Sequence, residues 1–206
     1  GRHARKAGAR GTPAMTTSST NRGQPERPER MDGSIHVCPL SAVPDVVAGC
    51  NASHLLTCLQ DEVVVERPSL IKPEFHVRLH VDDINQPIAG YVAPNEQHVA
   101  RLIEFAHAWG GRGPIVIHCW AGISRSTAAA FTSICTLNPD VPEMLIAQRL
   151  REASPTAYPN RLMIRLADAA LARRGRMVDA VESMGRGVVA SEARPFSLPA
   201  DFSQPH

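Results

Sequence analysis

No stretch of this 206-residue sequence is apolar over the length needed to cross a bilayer, which excludes a helical integral membrane protein. Cysteine is sparse: five residues, at 38, 50, 58, 119 and 135, with no C-x-x-C pair and no Cys/His spacing of a zinc site. An odd count without such pairs argues against a disulfide scaffold. No apolar signal core lies in the opening segment, so reduced thiols in a cytoplasmic protein are expected. Internal repeats, collagen-like triplets and sustained heptads are all missing, which removes the fibrous and solenoid classes.

A basic excess belonging to the body of the chain is also lacking. The net charge of +2 arises from seven basic against two acidic residues in 1–30, and fifteen basic against eighteen acidic in the remainder. The body is therefore mildly acidic, and nucleic acid is not an expected partner. What the sequence does have is a globular balance, 43% hydrophobic and 20% charged.

Composition divides the chain into three. Residues 1–30 hold almost no large apolar side chains and read as a disordered basic arm, with Met15 and Met31 both candidate starts. Weak electrostatic binding is the alternative role for that arm. Residues 31–184 form the expected domain. Residues 185–206, with three prolines and little periodicity, read as a disordered tail.

Within the domain, short apolar runs alternate with helical ones. SIHVC (34–38) and HLLTCL (54–59) read as strands, with a short helix between them ending near Gly49. Phe75, Val77, Leu79 and Val81 alternate with His76, Arg78, His80 and Asp82, a strand with one buried and one polar face. After Pro94, Val99, Leu102, Ile103 and Ala106 share one side of a helix that Gly110 and Gly111 end. PIVIH (114–118) is continuously apolar, as in a strand buried on both faces. Helices are expected over roughly 125–137, 142–153 and 161–183. Asp140 and Glu143 have capping-box spacing for the second, and Asn160 caps the third. The alternation implies an α/β fold with a central, mostly parallel sheet flanked by helices.

The stretch carrying chemistry is His118-Cys119-Trp120-Ala121-Gly122-Ile123-Ser124-Arg125-Ser126-Thr127, which leaves the buried strand and enters a helix. A tight loop in that place turns backbone N–H groups inward as an anion nest, and the following helix adds free N–H groups and the positive end of its dipole. Gly122 lets the loop curl. Arg125 presents a planar fork to two oxygens of a phosphate. Cys119 stands at the opening of this electropositive loop, where a thiolate is favoured and faces the anion as a nucleophile.

HCWAGISRST resembles the C-x5-R signature of the cysteine-based protein tyrosine phosphatases, and more closely the HCxxGxSRS loop of the small dual-specificity branch, over about residues 33–175. The resemblance implies Cys119 as nucleophile of a cysteinyl-phosphate, with Arg125 and the amides of Trp120, Ala121, Gly122, Ile123, Ser124 and Arg125 holding the phosphate. It implies Ser126 as the hydroxyl that steadies the leaving thiolate and His118 as the histidine that helps keep it ionised. A general acid is expected on a separate loop. Asp82 and Asp83, in HVDDINQP, lie 37 and 36 residues before Cys119. Alternation gives Asp82 to the strand and Asp83 to the loop, so Asp83 is favoured as the acid and Asp82 is the alternate. Trp120 either shapes the pocket or packs beneath the loop. Cys38, Cys50, Cys58 and Cys135 read as core residues, His76 and His80 as a polar strand face, and Asp168 as a structural acceptor or a solvated carboxylate.

The implied activity is metal- and cofactor-independent hydrolysis of phosphate monoesters. Phosphotyrosine-type aryl phosphates are favoured, with phosphoserine or phosphothreonine open, on proteins or small molecules. The rhodanese-type sulfurtransferases, whose loop usually has one residue fewer between Cys and Arg, and a phospho-recognition module without turnover are the alternatives. Trp120 and Ile123 stand where phosphoinositide-directed relatives often carry lysine, which disfavours a polyphosphorylated head group. Neither a membrane partner nor a particular oligomeric state is indicated.

Overall fold

The computed structural model describes residues 31–203. The expectation of a disordered arm over 1–30 lies outside the described residues.

Among the described residues, five strands build one sheet in the order β3-β2-β4-β1-β5. They are β1 (Ser34–Pro39), β2 (His54–Leu59), β3 (His76–His80), β4 (Pro114–Cys119) and β5 (Phe196–Pro199). β1 pairs in parallel with β4, β4 with β2, and β2 with β3, while β5 is antiparallel to β1. The helices are α1 (Val43–Cys50), α2 (Glu96–Trp109), α3 (Arg125–Leu137), α4 (Glu143–Ala153), α5 (Arg161–Ala170) and α6 (Arg176–Ser183). The α/β architecture with a largely parallel sheet is therefore the one expected.

Side chains alternate across the sheet and separate two cores. On one face Ile35, Val37, Leu56, Cys58, Leu79, Ile115 and Ile117 pack with Leu102 of α2, Phe131 and Ile134 of α3 and buried residues of α4 to α6. On the other, Leu55 and Val116 meet Val43 and Val47 of α1 and Ile71. β4 lies between β1 and β2, buried on both faces, and delivers the signature loop at its C-terminal end. Ligand sites of open parallel sheets form outside the carboxyl ends of the strands.

α2 starts where Asn95 accepts from the N–H groups of Gln97 and His98, while His98 Nδ1 accepts from Asn95 N–H. It ends on Gly110 in the left-handed region (φ 64°). Among the described residues, no helix is long and apolar enough to cross a membrane.

Three expectations are corrected. The long helix over 161–183 is two helices, broken over 171–175, where Ala172, Arg174 and Gly175 have φ of 52°, 56° and 89°. The Asp168 carboxylate spans the break, accepting from Gly175 N–H (2.7 Å) and Met177 N–H (2.9 Å). Asp140 and Glu143 form no capping box: Pro142 precedes α4, and the buried Glu143 carboxylate pairs with Arg173 (2.9 Å) and Arg176 (3.1 Å). An ion pair in a buried setting outcompetes a solvated cap. Finally, the described part of 185–206 includes a strand, β5, and buries Leu198, Ala200 and Phe202. Asn138 fastens this end by donating to Ala200 C=O and accepting from Phe202 N–H.

Candidate active site

Residues 119–125 turn from β4 into α3, and the turn depends on Gly122. Its φ is 72°, and a Cβ there would meet Pro39 N at 2.8 Å and the Cys38 carbonyl carbon at 2.9 Å. The loop's carbonyls are tied outward on several sides. Leu40 N–H donates to Trp120 C=O (3.1 Å), Ala193 N–H to Ala121 C=O (2.8 Å), Tyr158 N–H to Ile123 C=O (2.9 Å) and Asn160 N–H to Ser124 C=O (3.2 Å). Because a trans peptide points its N–H opposite its C=O, these ties turn the next amides toward the concave side of the loop. Thr127 Oγ1 also donates to Ile123 C=O (2.6 Å), fixing the entry to α3.

Cys119 lies at the floor of this concavity, 2% exposed, with Sγ 3.1 Å from Ser126 Oγ. Arg125, 4% exposed, donates from Nη1 to Val81 C=O (2.9 Å) and to Gln60 Oε1 (3.4 Å), which aims the guanidinium along the loop. Its Nε is buried and has no hydrogen-bond partner, a donor suited to an anionic oxygen. Together the loop and its neighbours border a cleft of about 590 Å³. Its walls include Val63, Asp83, Trp120, Ile123, Ala190 and Ser191.

The two candidate acids separate. Asp83 lines the cleft, and its Oδ1 accepts from Ser124 Oγ (2.6 Å) and Asn160 Nδ2 (2.9 Å). Asp82 is buried, and its Oδ2 accepts from Val92 N–H (2.7 Å), so it holds the 82–92 loop closed on itself. His118 is fully buried beneath the loop, with Nδ1 3.4 Å from Cys119 O and Nε2 2.7 Å from Thr57 Oγ1. Burial pulls its pKa down to about 4, although the bond to the Cys119 carbonyl opposes the shift. At neutral pH it is therefore an uncharged imidazole and acts by hydrogen bonding.

Trp120 is 56% exposed on the cleft wall, so it shapes the pocket and does not pack beneath the loop. Cys38, Cys58 and Cys135 are buried free thiols that burial pushes upward, Cys38 to about 12. Among the described residues, no group of three or more His, Cys, Asp or Glu is placed to hold a metal ion.

Sequence reasoning missed Gln60, Thr57, Ala190 and Ser191, and gave Asn160 only its helix-capping role. Asn160 Oδ1 does cap α5 through Met163 N–H (3.0 Å), while its Nδ2 holds Asp83. None of these positions has a local signal, because tertiary packing brings Gln60, Ala190 and Ser191 to the cleft, Thr57 to His118 and Asn160 to Asp83.

No protein-family model and no curated protein sequence matches the chain. Solved structures do match. DUSP15 superposes with a TM-score of 0.53 at 17% identity, over 74% of this chain and 95% of that one. The human tyrosine phosphatase-like serine/threonine/tyrosine-interacting protein gives 0.52 at 18%, over 68% and 92%. PTPMT1 in complex with PI(5)P gives 0.51 at 12%, over 71% and 97%. The fold is thus that of the small dual-specificity and tyrosine phosphatases.

Proposed function

We propose that this chain is a phosphatase that hydrolyses phosphate monoesters through a cysteinyl-phosphate intermediate. The observation that carries the reading is Cys119 Sγ, 3.1 Å from Ser126 Oγ, on the floor of a cleft that Arg125 and Asp83 also line. In the first step the Cys119 thiolate attacks phosphorus and forms the S–P bond as the ester P–O bond breaks. Arg125 and the inward amides take the charge on the equatorial oxygens. Asp83 gives its proton to the leaving oxygen; Ser124 and Asn160 both bond Oδ1, so Oδ2 carries that proton. In the second step water attacks phosphorus, Asp83 takes its proton, and the S–P bond breaks as Ser126 donates to the departing thiolate.

The substrate reading is an aryl phosphate of phosphotyrosine type. Val63, Trp120, Ile123 and Ala190 make the walls apolar, and Arg125 is the one basic side chain among the lining residues. A head group with several phosphates would find one counter-charge there. Phosphoserine and phosphothreonine remain within reach of the same chemistry, and reduced thiols fit work in the cytoplasm.

The test is p-nitrophenyl phosphate hydrolysis in chelator and reductant. Wild type should turn over and Cys119→Ser should not, while Cys119→Ser still binds phosphate because Arg125 and the amides remain. A folded, inactive wild type that binds phosphopeptide would instead establish a recognition module, and turnover of thiosulfate a sulfurtransferase. Faster hydrolysis of inositol phosphates than of phosphotyrosine would overturn the substrate assignment.

A further inference from the structure

A row of three polar side chains crosses the sheet on the α1 face, opposite the Cys119 side. In the parallel β2–β4 pair Thr57 is the register partner of His118, and in β2–β3 it faces Arg78, two residues beyond His76. In-register residues of parallel strands point the same way, as do residues two apart in one strand. His76, Thr57 and His118 therefore share one face on three adjacent strands. Thr57 Oγ1 lies 2.9 Å from His76 Nε2 and 2.7 Å from His118 Nε2. Thr57 and His118 are fully buried, and His76 is half-exposed on β3, an edge strand.

Donor and acceptor logic gives this row a direction. A carbonyl oxygen only accepts, so the contact of His118 Nδ1 with Cys119 O requires a proton on Nδ1. A neutral ring then has an unprotonated Nε2, which must accept from the Thr57 hydroxyl. Having donated its proton, Thr57 Oγ1 accepts from His76 Nε2–H. The row runs one way, His76 to Thr57 to His118 to the Cys119 backbone.

Resting on the phosphatase reading for the role of Cys119, we propose that Thr57 and His76 are positioning residues of the site: by holding His118 in the Nδ1–H tautomer, they fix the Cys119 carbonyl and the thiol on the same residue. Neither lines the cleft, and the apolar cluster on this face of the sheet, Val43 and Val47 of α1 with Leu55, Val116 and Ile71, cannot replace the bonds. The charged and titratable groups near the row are Arg67 and Arg78 beside His76, and Arg78 and Arg125 beside His118. Around Cys119 itself stand Cys38, Cys58 and Ser126.

Long-range 1H–15N spectra of the full chain read both tautomers without any substitution. His118 should carry its proton on Nδ1 and His76 on Nε2. A proton on His118 Nε2 would overturn the proposal outright. In Thr57→Val the buried His118 Nε2 loses its donor, and its signal should become a tautomer mixture. The pH of half-maximal alkylation of Cys119 by iodoacetamide should then rise by about half a unit, and kcat on p-nitrophenyl phosphate fall about threefold with KM little changed. Thr57→Ser restores the hydroxyl and should restore both readouts. His76→Phe should produce a smaller shift in the same direction. Equal impairment by Ser and Val would show a packing role and sink the proposal, as would an unchanged His118 signal in Thr57→Val. If tautomers and alkylation respond as stated but wild type hydrolyses no ester, the phosphatase reading fails while the row stands.

Discussion

Asp83 holds two donated hydrogen bonds on a single oxygen, from Ser124 of the signature loop and Asn160 at the start of α5, and this distinguishes it from its neighbour Asp82. Removing it should lower kcat strongly for esters with poor leaving groups, on the order of a hundredfold. For p-nitrophenolate, which leaves with little help from a proton, the loss should be much smaller. Leaving-group dependence of kcat for Asp83→Ala and Asp82→Ala is the measurement. Asp82→Ala should show no such dependence, because that carboxylate is buried, bonds Val92 N–H and does not line the cleft. Strand alternation placed Asp83 in the loop, where it lies, but put Asp82 on the polar face of the strand; β3 ends at His80, and Asp82 is buried in the loop against Val92. Gln60 and Ser191 had no such signal, since nothing in a sequence says which distant loop closes on a given wall.

β4, the signature loop and α3 are one continuous element whose sequence is self-consistent at every level. An apolar run, a glycine forced to positive φ and a helix buried along its whole length succeed one another without interruption. That consistency is why the site was readable. β5 was not readable, because a four-residue strand carries too little periodicity and its order comes from Leu198, Ala200 and Phe202 meeting a core already built. The break between α5 and α6 was hidden for a similar reason: Asp168 looked like one more helical polar residue, although it caps the second helix from inside the first. Docking of β5 has a direct test. Leu198→Ala should cost about 2–3 kcal/mol in urea unfolding, the usual loss for a buried leucine. A disordered tail would give no change. The same docking holds 190–193 against the signature loop, through Ala193 N–H on Ala121 C=O, so the edge strand also helps define one cleft wall.

Across the whole molecule, the sheet that positions the nucleophile also buries imidazoles. Burial lowers His118 and His76 to about 4 from 6.5, and it lowers His36, His54 and His98 in the same direction. Where a folded-state histidine is lowered, the unfolded chain binds protons that the native state refuses, so stability rises with pH over that interval. The contribution is intact above 6.5, declines as pH falls toward about 4, and levels off below. Glu143 acts lower on the scale. Its burial favours the neutral acid, but a backbone hydrogen bond, Arg176 and Arg173 outweigh burial and hold it below its ordinary 4.5. Its stabilisation is present above 4.5 and is lost as pH falls through the depressed value, an interval that opens as the histidine loss is finishing. Urea midpoints taken from neutral to acid pH should therefore fall in two successive stages. His76→Gln, which removes one imidazole and keeps a donor toward Thr57, should flatten the upper stage and leave the lower one in place. A midpoint constant between pH 6.5 and 4 would mean that protons reach these histidines in the folded sheet, and the neutral row behind Cys119 would then have no basis.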